Sequence, residues 1–175
     1  MPEERTEVFI TQERLQQRIG ELGAQITQDY QGQSLLLVGI LTGALVFLAD
    51  LMRSIQIPLE IDCMALSSYG NASTTSGVVR ILKDLQAPIE GKHVVLVEDI
   101  VDTGLTLHYL LETLHPRHPA SLRICTLLEK ATKRYRVITP EYVGFEVPDR
   151  FVVGYGIDYA QQYRQLPYIA LLRGE

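Results

Sequence analysis

The chain has 175 residues, of which 46% are hydrophobic and 21% are charged, and its formal net charge is -5. Such a composition is typical of one globular domain, and the negative charge argues against general binding of nucleic acid or anionic membrane. The N-terminal segment lacks the apolar stretch of a signal peptide, and the apolar runs are too short to span a bilayer. We therefore expect a cytoplasmic protein. Cys63 and Cys125 lack metal-ligand spacing and are predicted to be buried free thiols in a reducing compartment.

Helical patterns alternate with apolar, strand-like runs over the first two thirds of the chain. Thr11 can cap a first helix, a second follows Thr42-Gly43, and a third is predicted over Leu105 to Leu114. Residues 70–77 are small, polar and bounded by glycines, which predicts a loop. The predicted strands are 34–41, 59–69, 94–99, 121–130, 141–148, 150–158 and 168–172. This order predicts an α/β domain with a mainly parallel central sheet flanked by helices.

The stretch VVLVEDIVDTGLTL, from Val94 to Leu107, combines a buried strand, three acids and a turn into a helix. Ligands of parallel sheets bind at the carboxyl ends of the strands, which is where Glu98 and Asp99 are expected. The turn that follows offers backbone N–H groups and two hydroxyls at a helix N-terminus, an arrangement that favours phosphate. The chain contains neither GxxxxGK[ST] nor GxGxxG. A ligand with a phosphate beside a diol fits both features, and a divalent cation would offset its remaining charge.

Several segments, in register over most of the chain, resemble the hypoxanthine-guanine phosphoribosyltransferase family. They are LVGILTGALVFLADL, SSYGNASTTSGVVRILKDL, EGKHVVLVEDIVDTGLTL, ICTLLEK, YVGFEVPDRFVVGYGIDY and YRQLPYI. The resemblance implies the type I phosphoribosyltransferase fold, with a single domain over 1–175. It further implies a core of about 34–140 and a small hood of short strands, drawn from about 1–15 and 141–175.

The resemblance also implies an activity in purine salvage. Members of this family transfer 5-phosphoribosyl from 5-phosphoribosyl-1-pyrophosphate to N9 of hypoxanthine or guanine, giving IMP or GMP and pyrophosphate, with Mg²⁺ as cofactor. Glu98 and Asp99 would hold the ribose hydroxyls, directly or through Mg²⁺, and Asp102 would approach purine N7 as general base or hydrogen-bond acceptor. The residues implied to bind the 5′-phosphate are Thr103, Gly104, Leu105 and Thr106.

The same resemblance assigns the base and the pyrophosphate to residues of the C-terminal third. Lys130 would donate to the purine O6, Phe151 would stack on the ring, and the Val152 backbone would read the base edge. Asp158 is implied as a further magnesium ligand, and Arg164 as a pyrophosphate-binding residue. The basic residues that follow Lys130 are expected to form a solvated face instead.

Two further segments carry implied roles. Thr42-Gly43 stands where many family members have Lys-Gly, in a turn that often contains a non-proline cis peptide and binds pyrophosphate through main-chain N–H groups. The backbone role is expected here, and the role of the lysine side chain stays open. Ser68 and Tyr69 match the start of a flexible loop that closes over the site. For Tyr69, simple packing at a strand end is an equal alternative.

Two other functions stay open on the same fold, a xanthine-preferring phosphoribosyltransferase and a non-catalytic regulator that binds nucleotide or RNA. A pyrimidine enzyme should lack the combination of Lys130, Phe151 and Asp158. A regulator is expected to lose the acid at Asp102 or to carry a broad basic face. The retained acid and the net negative charge favour the enzyme. The resemblance implies a homodimer or homotetramer.

Overall fold

The computed structural model describes residues 6–69, 78–131 and 138–174. The strands are β1 (Thr6–Ile10), β2 (Leu35–Leu41), β3 (Leu59–Tyr69), β4 (Val78–Lys83), β5 (His93–Val101), β6 (Ser121–Lys130), β7 (Tyr142–Val147), β8 (Val152–Val153) and β9 (Ile169–Leu172). The helices are α1 (Gln12–Asp29), α2 (Leu45–Ser54) and α3 (Leu105–Leu114), and a short 3-10 turn follows α3 at His115–Arg117. No helix within the described ranges is long and apolar enough to cross a membrane.

A six-stranded sheet in the order β4-β3-β2-β5-β6-β7 forms the body of the molecule. Strands β3, β2, β5, β6 and β7 run parallel, and β4 pairs antiparallel with β3 at one edge. The central strand β2 is buried from Leu35 to Ile40, which explains its continuous apolar sequence. The predicted fold class, a mainly parallel sheet in an α/β domain, is confirmed.

Alternate residues of the central strands face helices on opposite sides of the sheet. Leu37 of β2 and Val95 of β5 pack in a cluster with apolar residues of α1 and α2. Their chain neighbours, including Val38, pack with apolar residues of α3. The first helix begins as predicted, because the Thr11 hydroxyl accepts a hydrogen bond from the Arg14 N–H. This two-sided core leaves the carboxyl ends of the parallel strands as one rim of the sheet.

A second, antiparallel sheet has the order β1-β9-β8 and brings together the two ends of the chain. This is the hood of short strands that the resemblance implied. β7 falls within the residues assigned to the hood, yet it pairs with β6 in the large sheet. The strand predicted over 150–158 is wrong beyond Val153, because Gly154 and Gly156 take positive φ angles of 100° and 97° and turn the chain.

Both cysteines are free, Cys125 being buried and Cys63 half-buried. Burial raises the pKa of each thiol, so both resist ionisation. The prediction of free thiols is confirmed, whereas the prediction of burial is confirmed for Cys125 and is wrong for Cys63, which is only half-buried.

Candidate active site

A pocket of about 230 Å³ opens at the carboxyl end of β5 and is lined by the unbroken segment 98–107. Gly104 lies immediately before α3 in the left-handed conformation, with φ of 82°, and its carbonyl accepts the first α-helical hydrogen bond, from His108 N–H at 2.9 Å. The first N–H groups of α3 therefore have no carbonyl of their own helix to bond. The predicted phosphate turn thus forms one wall of the pocket, next to the acids.

Glu98 and Asp99 contribute the acidic wall of this pocket. Glu98 is only 8% exposed, and burial, followed by the negative charge of Asp99, raises its pKa well above the usual range. Burial also raises the pKa of Asp99, while its hydrogen bond with Glu98 and, more weakly, the positive charge of Arg164 oppose the rise. Within the described part of the chain neither carboxylate makes an ion pair. The pair therefore disfavours its own full ionisation and would be stabilised by a cation or by hydroxyl donors.

The turn after β2 lies against this acidic pair. β2 and β5 are parallel neighbours with Gly39 opposite Val97, so the strand ends reach the rim together. A side chain on Gly43 would collide with the Asp99 carboxylate, which fills that space. The Leu41–Thr42 peptide bond is cis, as the resemblance implied, and the Thr42 side chain is exposed.

Lys130, at the end of β6, reaches toward the other end of the acidic segment. Its side chain is only 12% exposed, and its Nζ lies 3.5 Å from Asp102 Oδ2 and 5.7 Å from the centroid of the Phe151 ring. The Phe151 side chain is 52% exposed and meets the Tyr159 ring edge to face, with the centroids 5.6 Å apart. A cation, a carboxylate and an accessible aromatic face thus converge from three separate segments.

The turn after β8 carries the remaining predicted residues of the hood. Arg164 pairs with Asp158 at 3.0 Å and donates to the Gly156 carbonyl at 2.7 Å. Asp158 also accepts a hydrogen bond from the Gln161 N–H. Val152 is buried and pairs with Leu171 of β9. In this arrangement the partner of Asp158 is Arg164. Among the described residues, Asp158 does not form a metal-binding group with Glu98 and Asp99.

The described residues contain no group of three or more His, Cys, Asp or Glu side chains arranged to hold a metal. Magnesium commonly binds proteins through one or two carboxylates and takes its other ligands from substrate oxygens and water. The pocket's pair of acids suits that mode of binding and does not form a closed metal cage. The side chains of Ser68 and Tyr69, the segment 70–77 and the basic residues 133, 134 and 136 lie outside the described residues.

Comparison with known proteins places the chain in a family. The model of the phosphoribosyl transferase domain matches residues 9–160. The hypoxanthine-guanine phosphoribosyltransferase of Bacillus subtilis is 50% identical over 95% of this chain and 92% of its own length. The hypoxanthine phosphoribosyltransferase of Haemophilus influenzae is 52% identical over 97% and 96% of the two chains. The chain belongs to the hypoxanthine-guanine phosphoribosyltransferase family.

The fold agrees with this membership. A crystal structure of a hypoxanthine phosphoribosyltransferase from Staphylococcus aureus superimposes with a TM-score of 0.94 and 47% identity, covering 99% of this chain and 94% of the other. As a member of a hypoxanthine-guanine phosphoribosyltransferase family, the chain is a pentosyltransferase.

Two contacts around the site of this family member involve residues that sequence reasoning did not single out. Asp149 lies 3.9 Å from Lys130, and Tyr155 donates a hydrogen bond to Asp50 of α2. The first has no sequence signal, since Asp149 stands in an ordinary exposed turn. For the second, the two glycines that flank Tyr155 in GYGID indicate a turn, but they do not identify Asp50 as its partner.

Proposed function

We propose that the protein is a purine-salvage enzyme that transfers 5-phosphoribosyl from 5-phosphoribosyl-1-pyrophosphate to N9 of hypoxanthine or guanine, with Mg²⁺ as cofactor. The observation that carries this proposal is the 3.5 Å separation of Lys130 Nζ and Asp102 Oδ2 beside the exposed face of Phe151. In a 6-oxopurine, O6 and N7 lie next to each other on one edge of the ring. A donor and an acceptor at this spacing match that edge.

The charges of this pair favour an oxo group over an amino group at position 6 of the purine. The Lys130 ammonium can only donate hydrogen bonds, so it suits the O6 acceptor and leaves a 6-amino group unpaired. Asp102 can accept the proton on purine N7, which must be shared or lost as N9 attacks the sugar. Phe151 offers a flat surface on which the purine can stack. Selection of the base therefore rests on Lys130, and proton handling on Asp102.

The acidic wall and the phosphate turn suit the other half of the reaction. Glu98 and Asp99 can accept hydrogen bonds from the ribose hydroxyls while the turn Thr103–Thr106 binds the 5′-phosphate through its N–H groups. As the bond from C1′ to pyrophosphate breaks, positive charge develops on the sugar, and the nearby carboxylates stabilise it. The burial of Glu98 supports this role, because a carboxylate interacts more strongly with a positive charge in a buried site than in water.

The bound cofactor would neutralise pyrophosphate oxygens and so make pyrophosphate a better leaving group. Glu98 and Asp99 would hold Mg²⁺, and Asp158 would contribute a further ligand. Arg164 and the backbone N–H groups of the Thr42-Gly43 turn would bind the leaving pyrophosphate. In support of this, Arg164 donates a hydrogen bond to the Gly156 carbonyl and pairs with Asp158, and Gly156 lies against Gly43.

A spectrophotometric assay tests the proposal directly. The purified chain is incubated with 5-phosphoribosyl-1-pyrophosphate, Mg²⁺ and, separately, hypoxanthine, guanine, xanthine, adenine and uracil. We expect IMP or GMP formation that stops when EDTA removes the metal, and no product from adenine or uracil. Activity on xanthine alone would favour the xanthine-preferring alternative. Absence of nucleotide from both hypoxanthine and guanine would contradict the proposal, and retained nucleotide binding would then support a regulator.

A further inference from the structure

Tyr155 joins the hood to the core at a buried contact outside the pocket. Its side chain is buried, and its Oη donates a hydrogen bond to the Asp50 carboxylate of α2. Arg53, one turn further along α2, pairs with the same carboxylate. Burial, reinforced by Asp50, raises the pKa of the Tyr155 phenol, so the hydroxyl stays protonated and remains a donor.

The backbone around Tyr155 is packed tightly against the turn after β2. A Cβ added to Gly156 would lie 2.6 Å from the Gly43 carbonyl oxygen, so the two glycines are in direct backbone contact. Gly156 N–H donates to the Arg164 carbonyl at 3.0 Å, and Arg164 donates back to the Gly156 carbonyl at 2.7 Å. Arg164 in turn pairs with Asp158. A shift of Tyr155 would therefore move Gly156, and with it Arg164 and Asp158, relative to Gly43.

The helix that receives the Tyr155 hydroxyl is the one that begins at the Thr42-Gly43 turn. α2 starts at Leu45, and Asp50 stands within its second turn. The hydrogen bond thus connects the segment that carries Arg164 and Asp158 to α2, the helix that directly follows the Thr42-Gly43 turn. This turn is the other candidate for binding pyrophosphate. Neither Tyr155 nor Asp50 lines the pocket of residues 98–107.

We propose that Tyr155 and Asp50 are positioning residues, which hold Arg164 and Asp158 at the correct distance from the Thr42-Gly43 turn so that both sides can bind one pyrophosphate group. The proposal rests on the proposed function. It predicts a selective effect: loss of the hydrogen bond should weaken use of the phosphoribosyl donor and leave binding of the purine, through Lys130 and Phe151, nearly unchanged. A contact that only stabilises the fold would not separate the two substrates.

The first experiment is steady-state kinetics of Tyr155→Phe, with each substrate varied in turn. We expect kcat/KM for 5-phosphoribosyl-1-pyrophosphate to fall roughly 10–100-fold, mainly through KM, with the KM for hypoxanthine changed less than about threefold. Tyr168→Phe, which removes a hydroxyl from another tyrosine of the hood, is the matched control and should keep both KM values. If Tyr155→Phe folds and its KM for 5-phosphoribosyl-1-pyrophosphate is unchanged, the proposal is overturned, even if the melting temperature of the variant falls.

Variants of Asp50 provide an independent test if Tyr155→Phe does not fold. Asp50→Asn keeps a hydrogen-bond acceptor for the Tyr155 hydroxyl and should retain most of the affinity for 5-phosphoribosyl-1-pyrophosphate. Asp50→Ala removes the acceptor and should lose that affinity. The double variant Tyr155→Phe/Asp50→Ala should have a KM for 5-phosphoribosyl-1-pyrophosphate no higher than that of the more impaired single variant, because the two changes remove the same interaction. Equal donor KM values for Asp50→Asn and Asp50→Ala would overturn the proposal.

A binding measurement separates this inference from the proposed function. Calorimetric titration with pyrophosphate and Mg²⁺ requires no turnover, and it should show weaker binding to Tyr155→Phe than to the wild type. A wild type without transferase activity would contradict the proposed function alone. Equal pyrophosphate affinity in the wild type and in Tyr155→Phe would contradict the positioning role alone.

Discussion

The Asp99 carboxylate fills the space beside Gly43 in which any other residue would place its Cβ. The contact joins the carboxyl ends of β2 and β5, which are parallel neighbours in the sheet. It brings an acid of the wall proposed to bind the sugar directly against the turn proposed to bind pyrophosphate. A glycine is required here by the closeness of another side chain, since Gly43 does not have a positive φ.

Gly43→Ala is expected to displace the Asp99 carboxylate and to lower kcat/KM by roughly 10²-fold, because a shift of about 1 Å in a catalytic group has an effect of that size. Steady-state kinetics and thermal unfolding measure the change. Gly20→Ala is the control: a Cβ there meets no atom within 4 Å, and Gly20 lies inside α1. It should keep full activity and raise the free energy of unfolding by about 0.5–1 kcal/mol. Full activity in Gly43→Ala would show that the acid moves aside without consequence.

Asp102→Ala should reduce turnover by roughly 10²–10⁴-fold if this acid handles the purine proton. The change also removes a partner of Lys130, so the KM for hypoxanthine is expected to change as well. Single-turnover measurements at saturating substrate isolate the chemical step from binding. The control is Glu112→Gln, which alters an exposed acid of α3, the helix that follows the turn. This variant should leave turnover unchanged. Near-normal turnover in Asp102→Ala would remove the general-base role.

Glu98→Gln should make the folded chain more stable than the wild type, by an amount that grows as the pH rises from about 4.5. The pKa of Glu98 is raised by burial in the folded chain, so the folded state binds more protons than the unfolded state between the ordinary carboxyl pKa and the raised one. In that window the free energy of unfolding of the wild type falls with pH, and the glutamine variant lacks this contribution. Below this pH window Glu98 is protonated in both the folded and the unfolded state, so the difference in stability between the variant and the wild type should shrink.

Urea denaturation at several pH values, without ligand or Mg²⁺, measures this difference. Glu146→Gln, at an exposed position of β7, is the control and should track the wild type at every pH. A difference between Glu98→Gln and the wild type that stays constant with pH would mean that the pKa of Glu98 is not raised.

Tyr30→Phe should leave the free energy of unfolding unchanged or increase it by up to about 1 kcal/mol. The Tyr30 hydroxyl is buried, and no described group offers it a hydrogen bond of good geometry. Tyr142→Phe is the matched comparison, because its hydroxyl donates to Asp29 at 2.6 Å and accepts from Arg123 at 3.2 Å. That variant should lose about 1–2 kcal/mol. Chemical denaturation measures both, and a larger loss in Tyr30→Phe than in Tyr142→Phe would contradict the assignment.

Much of the fold was predictable because local patterns agree with the tertiary structure. The strand predicted over 59–69 and the one predicted over 121–130 have the observed bounds, and the helix at 105–114 begins and ends as expected. One exception is the segment after Val153. Its apolar composition resembles a strand, but its glycines adopt positive φ angles, which apolar periodicity does not reveal.

The sequence alone determined those features that are encoded within one continuous segment. The acids, the turn and the helix start of 98–107 are adjacent in the chain, so their chemistry and spacing follow from the order of residues, and the same stretch lines one pocket. The family resemblance supplied the expected partners of this segment in Lys130, Phe151, Asp158 and Arg164. It did not supply their contacts with one another.

Only the tertiary structure decided which distant residues meet. Gly43 and Asp99 are 56 positions apart in the chain, from 43 to 99, and Tyr155 and Asp50 are 105 apart. Sheet order and the pairing of strand ends set these contacts, and neither property is written in the composition of a single element. A local pattern specifies the conformation of its own segment, whereas a contact between segments depends on how every intervening element packs.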